Sequence, residues 1–426
     1  MSADSRTAPA ADDRRDRSVI VAGGGLIGLT TAFFLARRGG RVLVLERGLL
    51  GSGASRGNAG EITSMADPLP GPGLVLGAAR GLFRPGSALF VHPRPSLELG
   101  RFLTRLARHS TRRAYEAGLQ AMAQLSHMTF RLYDELARDG IGGGMATDGY
   151  LVCCASEASA LAQRRQFERM AELGIASRPG PLLRGRELAE AEPSLSGAAG
   201  AGFLQPGERW IDPSRLVDSL ADALTGMGVE LIQGARVTRV RERRDAVEVE
   251  STSGRHGGDA AVIASGIWSE DLCRGMGIAL GMQPGKGYSF TVRPEPMPRR
   301  LVHLADAHVV ATPMGDSLRI AGTMEFDGST DRFDPRRVEA IVAAARGYLA
   351  GIDWSARTNE WVGPRPMTPD GLPFIGPVPG RRRVYVATGH NMLGLTLAPS
   401  TAEVVADLVL EGHTDVDIAP FSVGRF

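Results

Sequence analysis

The feature that most constrains this chain is a glycine pattern set between two β-branched runs. Ser18-Val-Ile-Val-Ala22 is short, apolar and β-branched, which predicts a buried strand. Gly23-x-Gly25-x-x-Gly28 follows it and opens a helical pattern from Leu26 to Arg38, with Leu29, Phe33 and Ala36 on one face. Arg41-Val-Leu-Val-Leu45 then predicts a second buried strand, ended by Glu46. A parallel strand pair needs a crossover of this kind, about 30 residues in all. In such a unit the first glycine allows the tight turn, the second lets a pyrophosphate approach the backbone, and the third lets helix and strand pack closely. The helix N-terminus supplies free N–H groups and a partial positive charge. A carboxylate at Glu46 is placed to accept hydrogen bonds from ribose hydroxyls. The expectation is a dinucleotide site built on Gly23, Gly25, Leu26, Ile27, Gly28, Glu46 and Arg47. It also explains why uncharged Ser18–Ala36, long enough for a membrane span, is not one: four glycines interrupt it, and Arg37 and Arg38 follow at once.

A chain of 426 residues exceeds what one core usually serves, so two domains are expected. The net charge of +2 gives no reason to expect nucleic acid as a partner. Cys153, Cys154 and Cys273 are too few and too irregular for a disulfide framework or a zinc site; no metal is expected, and a reducing cytoplasmic setting fits. Met1–Arg17 mixes acidic residues with arginines and reads as a disordered extension. Residues 97–139 predict helix, Asp212-Pro213 a helix start, and Tyr288–Val292, His308–Thr312 and Leu318–Ala321 strands. Helices and strands alternate at both ends, around strand-rich middle pieces. The expected division is a cofactor domain from residues 18–70, 200–280 and 355–426, with a second domain from 71–199 and 281–354 inserted into it.

After the second strand comes Ser52-Gly-Ala54-Ser55-Arg-Gly-Asn58-Ala59-Gly60, a small-residue loop that lets backbone lie close to a flat ring or a pyrophosphate. It resembles the flavin-proximal loop of the D-amino-acid oxidase superfamily. Gly363-Pro-Arg365-Pro-Met-Thr368-Pro-Asp370-Gly371 and Thr388-Gly389-His390-Asn391-Met-Leu-Gly394-Leu395-Thr396 are similar to the D-amino-acid dehydrogenase branch of that superfamily. Glycine oxidase and sarcosine oxidase are more distant relatives. Ala261-Val-Ile-Ala264-Ser-Gly266-Ile-Trp268 and Lys286-Gly-Tyr288-Ser also match. The resemblance runs from about Ser18 to Gly412.

The resemblance implies an α/β fold: a Rossmann-like FAD-binding domain with an inserted antiparallel-sheet substrate domain. It implies FAD held by the residues above together with Val237, Gly266, Trp268, Gly389, Asn391, Gly394, Leu395 and Thr396. Sarcosine oxidases carry a flavin-linking cysteine at about the place of Arg365. No cysteine lies in 363–371, so non-covalent FAD is expected. Arg365 is the implied anchor for a substrate carboxylate, which a guanidinium binds with two parallel hydrogen bonds. Tyr288 is a candidate second donor to that carboxylate, and His390 a candidate near the flavin. The implied reaction is oxidative deamination of a small amino acid, a D-amino acid first, by hydride transfer from Cα to flavin N5, with a quinone, a carrier protein or oxygen as final acceptor. Oxidation of secondary amines (D-proline or hydroxyproline, sarcosine, glycine) is the nearest alternative; an electron-carrying flavoprotein subunit is the non-enzymatic one. Leu82-Phe83 and Leu89-Phe90, set among Arg80, Arg84, Arg94, Arg101, Arg105 and Arg108, raise a further expectation, peripheral contact with the inner face of the cell membrane; a cover over the active site is the competing reading.

Overall fold

A computed structural model describes residues 16–65, 68, 70–72, 86–92 and 96–426. The glycine pattern stands between its two strands as expected. Ser18–Ala22 pairs in parallel with Arg41–Leu45 on one side and with Ala260–Ile263 on the other. Glu230–Ile232 and Val384–Thr388 extend the parallel sheet at its two ends, and Phe374–Pro377 adds an antiparallel edge. These strands read as continuous apolar runs because both faces of the sheet are covered. Val19 and Val21 join a core made with the helices Leu26–Arg37, Arg112–Arg138, Pro213–Gly226 and Gly394–Ala406. Ile20 and Ala22 face the opposite way, toward a three-stranded antiparallel sheet of Val237–Glu242, Val247–Ser251 and Gly254–Gly258.

Gly28 shows why the third glycine is required. A Cβ at that position would lie 1.9 Å from the carbonyl oxygen of Gly23, so any other residue would push the helix off the strand that it covers.

The second sheet holds Thr358–Met367, Gln283–Val292, Ser317–Phe326, Val309–Met314, Val302–Leu304, Tyr150–Cys154, Ala201–Gln205 and Leu183–Arg184 in that order, with Leu89–Val91 paired to Ser317–Phe326. Its other face packs on the helix Pro335–Ala345. The sheet is mostly antiparallel, as expected of the inserted domain. It departs from that at two parallel pairs, Leu89–Val91 with Met324–Phe326 and Val302–Leu304 with Leu151–Cys153.

Three elements cross the expected domain boundaries. Thr358–Met367 and Ala201–Gln205 are hydrogen-bonded into the second sheet, and Arg112–Arg138 packs into the core around the parallel sheet through Leu125, Leu132 and Leu136. Local composition does not encode these partners, because each element's apolar face fits either domain. The long helix expected over 97–139 is two helices, Leu97–His109 and Arg112–Arg138; Thr111 caps the second by accepting from Ala114 N at 3.2 Å.

The membrane-contact segment fares unevenly. Leu82, Phe83, Arg80, Arg84 and Arg94 lie outside the described residues, as does most of the N-terminal tail. Leu89 and Phe90 are strand residues, and Phe90 is buried. Leu89 is partly exposed. Among the described residues no helix is long and apolar enough to cross a membrane.

All three cysteines are free and buried. Burial pushes the thiols of Cys153 and Cys273 up to about 12 and that of Cys154 up to about 11. At pH 8 the thiolate form, which is the reactive one, is therefore scarce in the folded protein. A chromogenic disulfide reagent at pH 8 should titrate no thiol in the native protein and three after denaturation. A fast-reacting native thiol would show that the strand Tyr150–Cys154 or the helix Ser269–Arg274 opens readily.

Candidate active site

A cavity of about 1640 Å³ runs between the parallel sheet and the second sheet. At one end lie the start of the first helix, the end of the second strand and the small-residue loop. The first helix begins at Gly25 with no side-chain cap, which leaves its first-turn N–H groups for a ligand apart from Leu26 N, which donates to Ser55 Oγ at 3.0 Å. The Glu46 carboxylate is held by Gly24 N at 2.7 Å and Gly48 N at 2.8 Å, one bond to each oxygen. Each oxygen keeps acceptor capacity for a hydroxyl. The Arg47 guanidinium stacks over the Trp268 ring, 4.2 Å from its centroid, and Val237 packs in the same apolar cluster as Trp268.

Further along, the last helix also starts uncapped, at Leu393, and Leu393 to Thr396 line the cavity. Thr396 Oγ1 accepts from Thr63 N at 3.2 Å. Asn391 sits in the left-handed region at φ 52°. Its amide donates to Gly371 O at 2.9 Å and Gly389 O at 3.0 Å, and accepts from Thr368 N at 2.8 Å. The side chain is thus a staple between two loops, and its backbone N–H donates to Pro366 O at 3.3 Å. His390 is buried, with Nε2 2.9 Å from Thr401 Oγ1, and burial drives its imidazole down to about 3. It is neutral at ordinary pH and already bonded, so the geometry gives it a structural place rather than an acid–base one.

Arg365 lies on Thr358–Met367, opposite Gly285 of the neighbouring strand. Its guanidinium is half-buried, donates from Nη1 to Thr323 O at 2.8 Å, and passes 3.7 Å from the Met324 sulfur. Burial lowers its pKa to about 10, and among the described residues no charged group offsets that burial. It stays protonated at neutral pH, and among the described residues no carboxylate lies beside it. Gly287 makes the room: a Cβ there would lie 2.3 Å from the guanidinium carbon.

The acceptor carbonyl belongs to an irregular strand. Lys286 pairs with Glu325 and Tyr288 with Gly322, so Thr323 and Met324 together oppose Gly287 in a β-bulge. Thr323 has φ 60°, a conformation that L residues rarely adopt and β-branched ones least of all. It costs on the order of 1–3 kcal/mol. Its Oγ1 is buried without a hydrogen-bond partner, and the residue lines the cavity.

Tyr288 differs from its expected role. Its ring contributes to the cavity wall, but its hydroxyl donates to Glu325 Oε2 at 2.5 Å. Lys286 Nζ stands 2.9 Å from Glu325 and 2.8 Å from Asp327. Successive strand residues point to opposite faces, so Lys286 and Tyr288 face away from the side on which Gly287 meets Arg365.

The cavity therefore gathers the expected residues except Gly23, Gly60 and Gly389, which shape turns behind its wall, and Gly28, where the first helix packs on its strand. It also gathers residues that sequence reasoning missed: Glu61, Thr63, Tyr150, His303 and Thr323. The His303 ring lies 3.6 Å from the Glu61 carboxylate. Nearby, Glu208 accepts from Ser64 N at 2.7 Å, and burial raises it to about 7. None of these sits in a motif; they meet only because the two sheets do.

Comparison with known proteins agrees with this geometry. A family model described as "DAO: FAD dependent oxidoreductase" matches residues 18–408. A D-amino acid dehydrogenase of Cereibacter sphaeroides (strain ATCC 17029 / ATH 2.4.9) is 31% identical over 420 residues, covering 96% of this chain and 95% of the relative. The crystal structure of glycine oxidase from Geobacillus kaustophilus aligns with a TM-score of 0.72 at 27% identity, covering 96% of this chain and 99% of that one. L-proline dehydrogenase from P. horikoshii shares the fold, with a TM-score of 0.69 at 18% identity over 96% of this chain and 98% of that one.

The buried imidazole leads to a stability prediction. A histidine whose folded pKa of about 3 lies below its unfolded value binds its proton in the unfolded chain first. Its contribution to stability is intact at pH 7 and is lost as pH falls through about 6.5 toward 3. Between pH 7 and pH 4 the loss is on the order of 3 kcal/mol. His390→Gln, which can keep a hydrogen bond to Thr401, should show a shallower fall of stability across that range in denaturant titrations at each pH. Parallel curves for the two proteins would mean that His390 is protonated in the folded state.

Proposed function

The chain belongs to the DAO family of FAD-dependent oxidoreductases, and from that premise we propose that it oxidises the Cα–N bond of a small amino acid, a D-amino acid first. The product is an imine, which water converts to a keto acid and ammonia. The observation that carries this reading is the Arg365 guanidinium, half-buried at the cavity wall with no counter-charge among the described residues. Desolvating a cation is costly unless a partner of opposite sign arrives. A carboxylate is the partner that a planar fork of N–H donors fits best.

The residues present fit FAD. The cavity exceeds the roughly 300–1,000 Å³ of a typical small-molecule site, leaving room for a dinucleotide and a small substrate together. The uncapped turn at Gly25–Ile27 suits a pyrophosphate, Glu46 a ribose, and the Arg47–Trp268–Val237 stretch an adenine ring. Ser52 to Gly60 and Gly394 to Thr396 are left for the flavin end. FAD, when bound, supplies the acceptor for the hydride that leaves the substrate Cα. Cofactor binding is read as non-covalent, because no cysteine lines the cavity. Arg365 orients the substrate through its carboxylate. Tyr288 and His390 are engaged by Glu325 and Thr401, so the amine is taken to bind in its neutral form. Positioning then supplies most of the catalysis. The likeness to a D-amino acid dehydrogenase favours a quinone or dye over oxygen as electron acceptor. The glycine oxidase likeness keeps glycine and secondary amines as the second substrate class.

Arg365→Ala should keep FAD, which acid precipitation releases into the supernatant. It should lose roughly 2–5 kcal/mol of transition-state stabilisation, about 30- to 5,000-fold in kcat/KM, on the best substrate from a panel of D- and L-amino acids. Arg365→Lys should recover part of this, and the decarboxylated amine should be little affected. Anaerobic stopped-flow reduction measures all three. Equal slowing of amino acid and amine would make Arg365 a structural residue, and a flavin that no amine bleaches would point to an electron-carrying subunit. With the same substrate, artificial dyes should turn over faster than oxygen; stoichiometric peroxide at dye-like rates would identify an oxidase.

A further inference from the structure

We infer that Thr323 is a substrate-contact residue whose hydroxyl donates a hydrogen bond to the carboxylate held by Arg365. The inference rests on the reading of Arg365 as the carboxylate anchor and extends it to a residue that no motif singles out.

Three independent observations meet at Thr323. The first is conformation: φ 60° at the bulge opposite Gly287 is a position where glycine is the usual occupant. A threonine there departs from local preference, and such departures persist where the surroundings or a function hold them. The second is the hydroxyl itself. Thr323 Oγ1 is buried without a hydrogen-bond partner, and a buried polar group left unpaired calls for an explanation. The third is placement. Thr323 lines the cavity, and its own carbonyl accepts from Arg365 Nη1 at 2.8 Å. The bulge thus brings a donor without a partner and a cation without a counter-charge among the described residues to one wall, and a turn of the threonine side chain about its Cα–Cβ bond opens the hydroxyl, closed off from water as it stands, to a carboxylate there. A carboxylate can use both, since its two oxygens offer about four acceptor sites. The guanidinium then supplies charge and direction, and the hydroxyl makes a further bond that an uncharged amine lacking the carboxylate would not form.

The test uses FAD-loaded protein and propionate, a carboxylate with no amine to oxidise, titrated by calorimetry. The parent should bind propionate. Thr323→Val, which keeps the branched shape and removes the hydroxyl, should bind about 10- to 100-fold more weakly, the range for a hydrogen bond to a charged group. Thr323→Ser should return to within a few-fold of the parent. Thr323→Gly relieves the backbone conformation but also lacks the hydroxyl; it should bind as weakly as Thr323→Val, and it keeps the test open if the valine variant does not fold. Parent-like affinity in both hydroxyl-free variants would overturn the assignment, as would equal weakening in Thr323→Val and Thr323→Ser. If Arg365→Ala binds propionate as well as the parent does, the anchor reading itself fails. If Arg365→Ala loses binding while Thr323→Val and Thr323→Gly keep it, only the role of Thr323 falls.

Discussion

The site depends on a positive charge left without a negative one. Arg365 is half-buried between strands, hydrogen-bonded to a backbone carbonyl and a sulfur, and no carboxylate lies against it among the described residues. Proteins seldom tolerate such a group without purpose, because desolvation weakens the folded state and no ion pair repays it. Here the surroundings are arranged around the guanidinium. Gly287 removes a side chain that would collide with it, and the bulge at Thr323–Met324 turns a carbonyl toward it. The cavity extends from it to the nucleotide-binding elements.

The strand Gln283–Val292 shows the contrast most clearly. On one face, Gly285 and Gly287 leave space for Met324 and Arg365. On the other, Lys286, the only lysine in the chain, is fully buried but held between Glu325 and Asp327. One cation is neutralised within the protein and stiffens the sheet. The other, Arg365, has no counter-charge among the described residues. Tyr288 belongs to the first arrangement, which is why its hydroxyl serves Glu325 and not the substrate side.

The two helix N-termini make a parallel case for the cofactor. Both the first and the last helix begin without a side-chain cap and both open onto the same cavity. Uncapped N–H groups and the helix dipole favour negative charge at those points. The parallel sheet places the two helices side by side; they pack in one core through Leu29, Phe33, Leu397 and Val405. Two uncapped helix starts about 370 residues apart in the chain therefore open onto one cavity.

What the sequence determined by itself was local. Gly23-x-Gly25-x-x-Gly28, the flanking apolar runs and Glu46 specify a strand–turn–helix–strand unit whose contacts are short-range, so the unit was legible in the sequence. The Ser52–Gly60 loop and the stretches around Arg365 and His390 were legible through likeness to a family, which is why most of the cavity wall could be named beforehand. The tertiary structure alone decided the rest. It moved Thr358–Met367 and Ala201–Gln205 into the second sheet, committed Tyr288 to Glu325, made His390 a buried neutral partner of Thr401, and brought Thr323 beside Arg365. In each case the deciding term is a hydrogen bond or a strand register between residues distant in the chain. Nothing in the spacing of Thr323 marks it: a one-residue bulge in the pairing of two strands sets where its hydroxyl and carbonyl lie, and register is a property of the pair that neither strand carries in its own sequence.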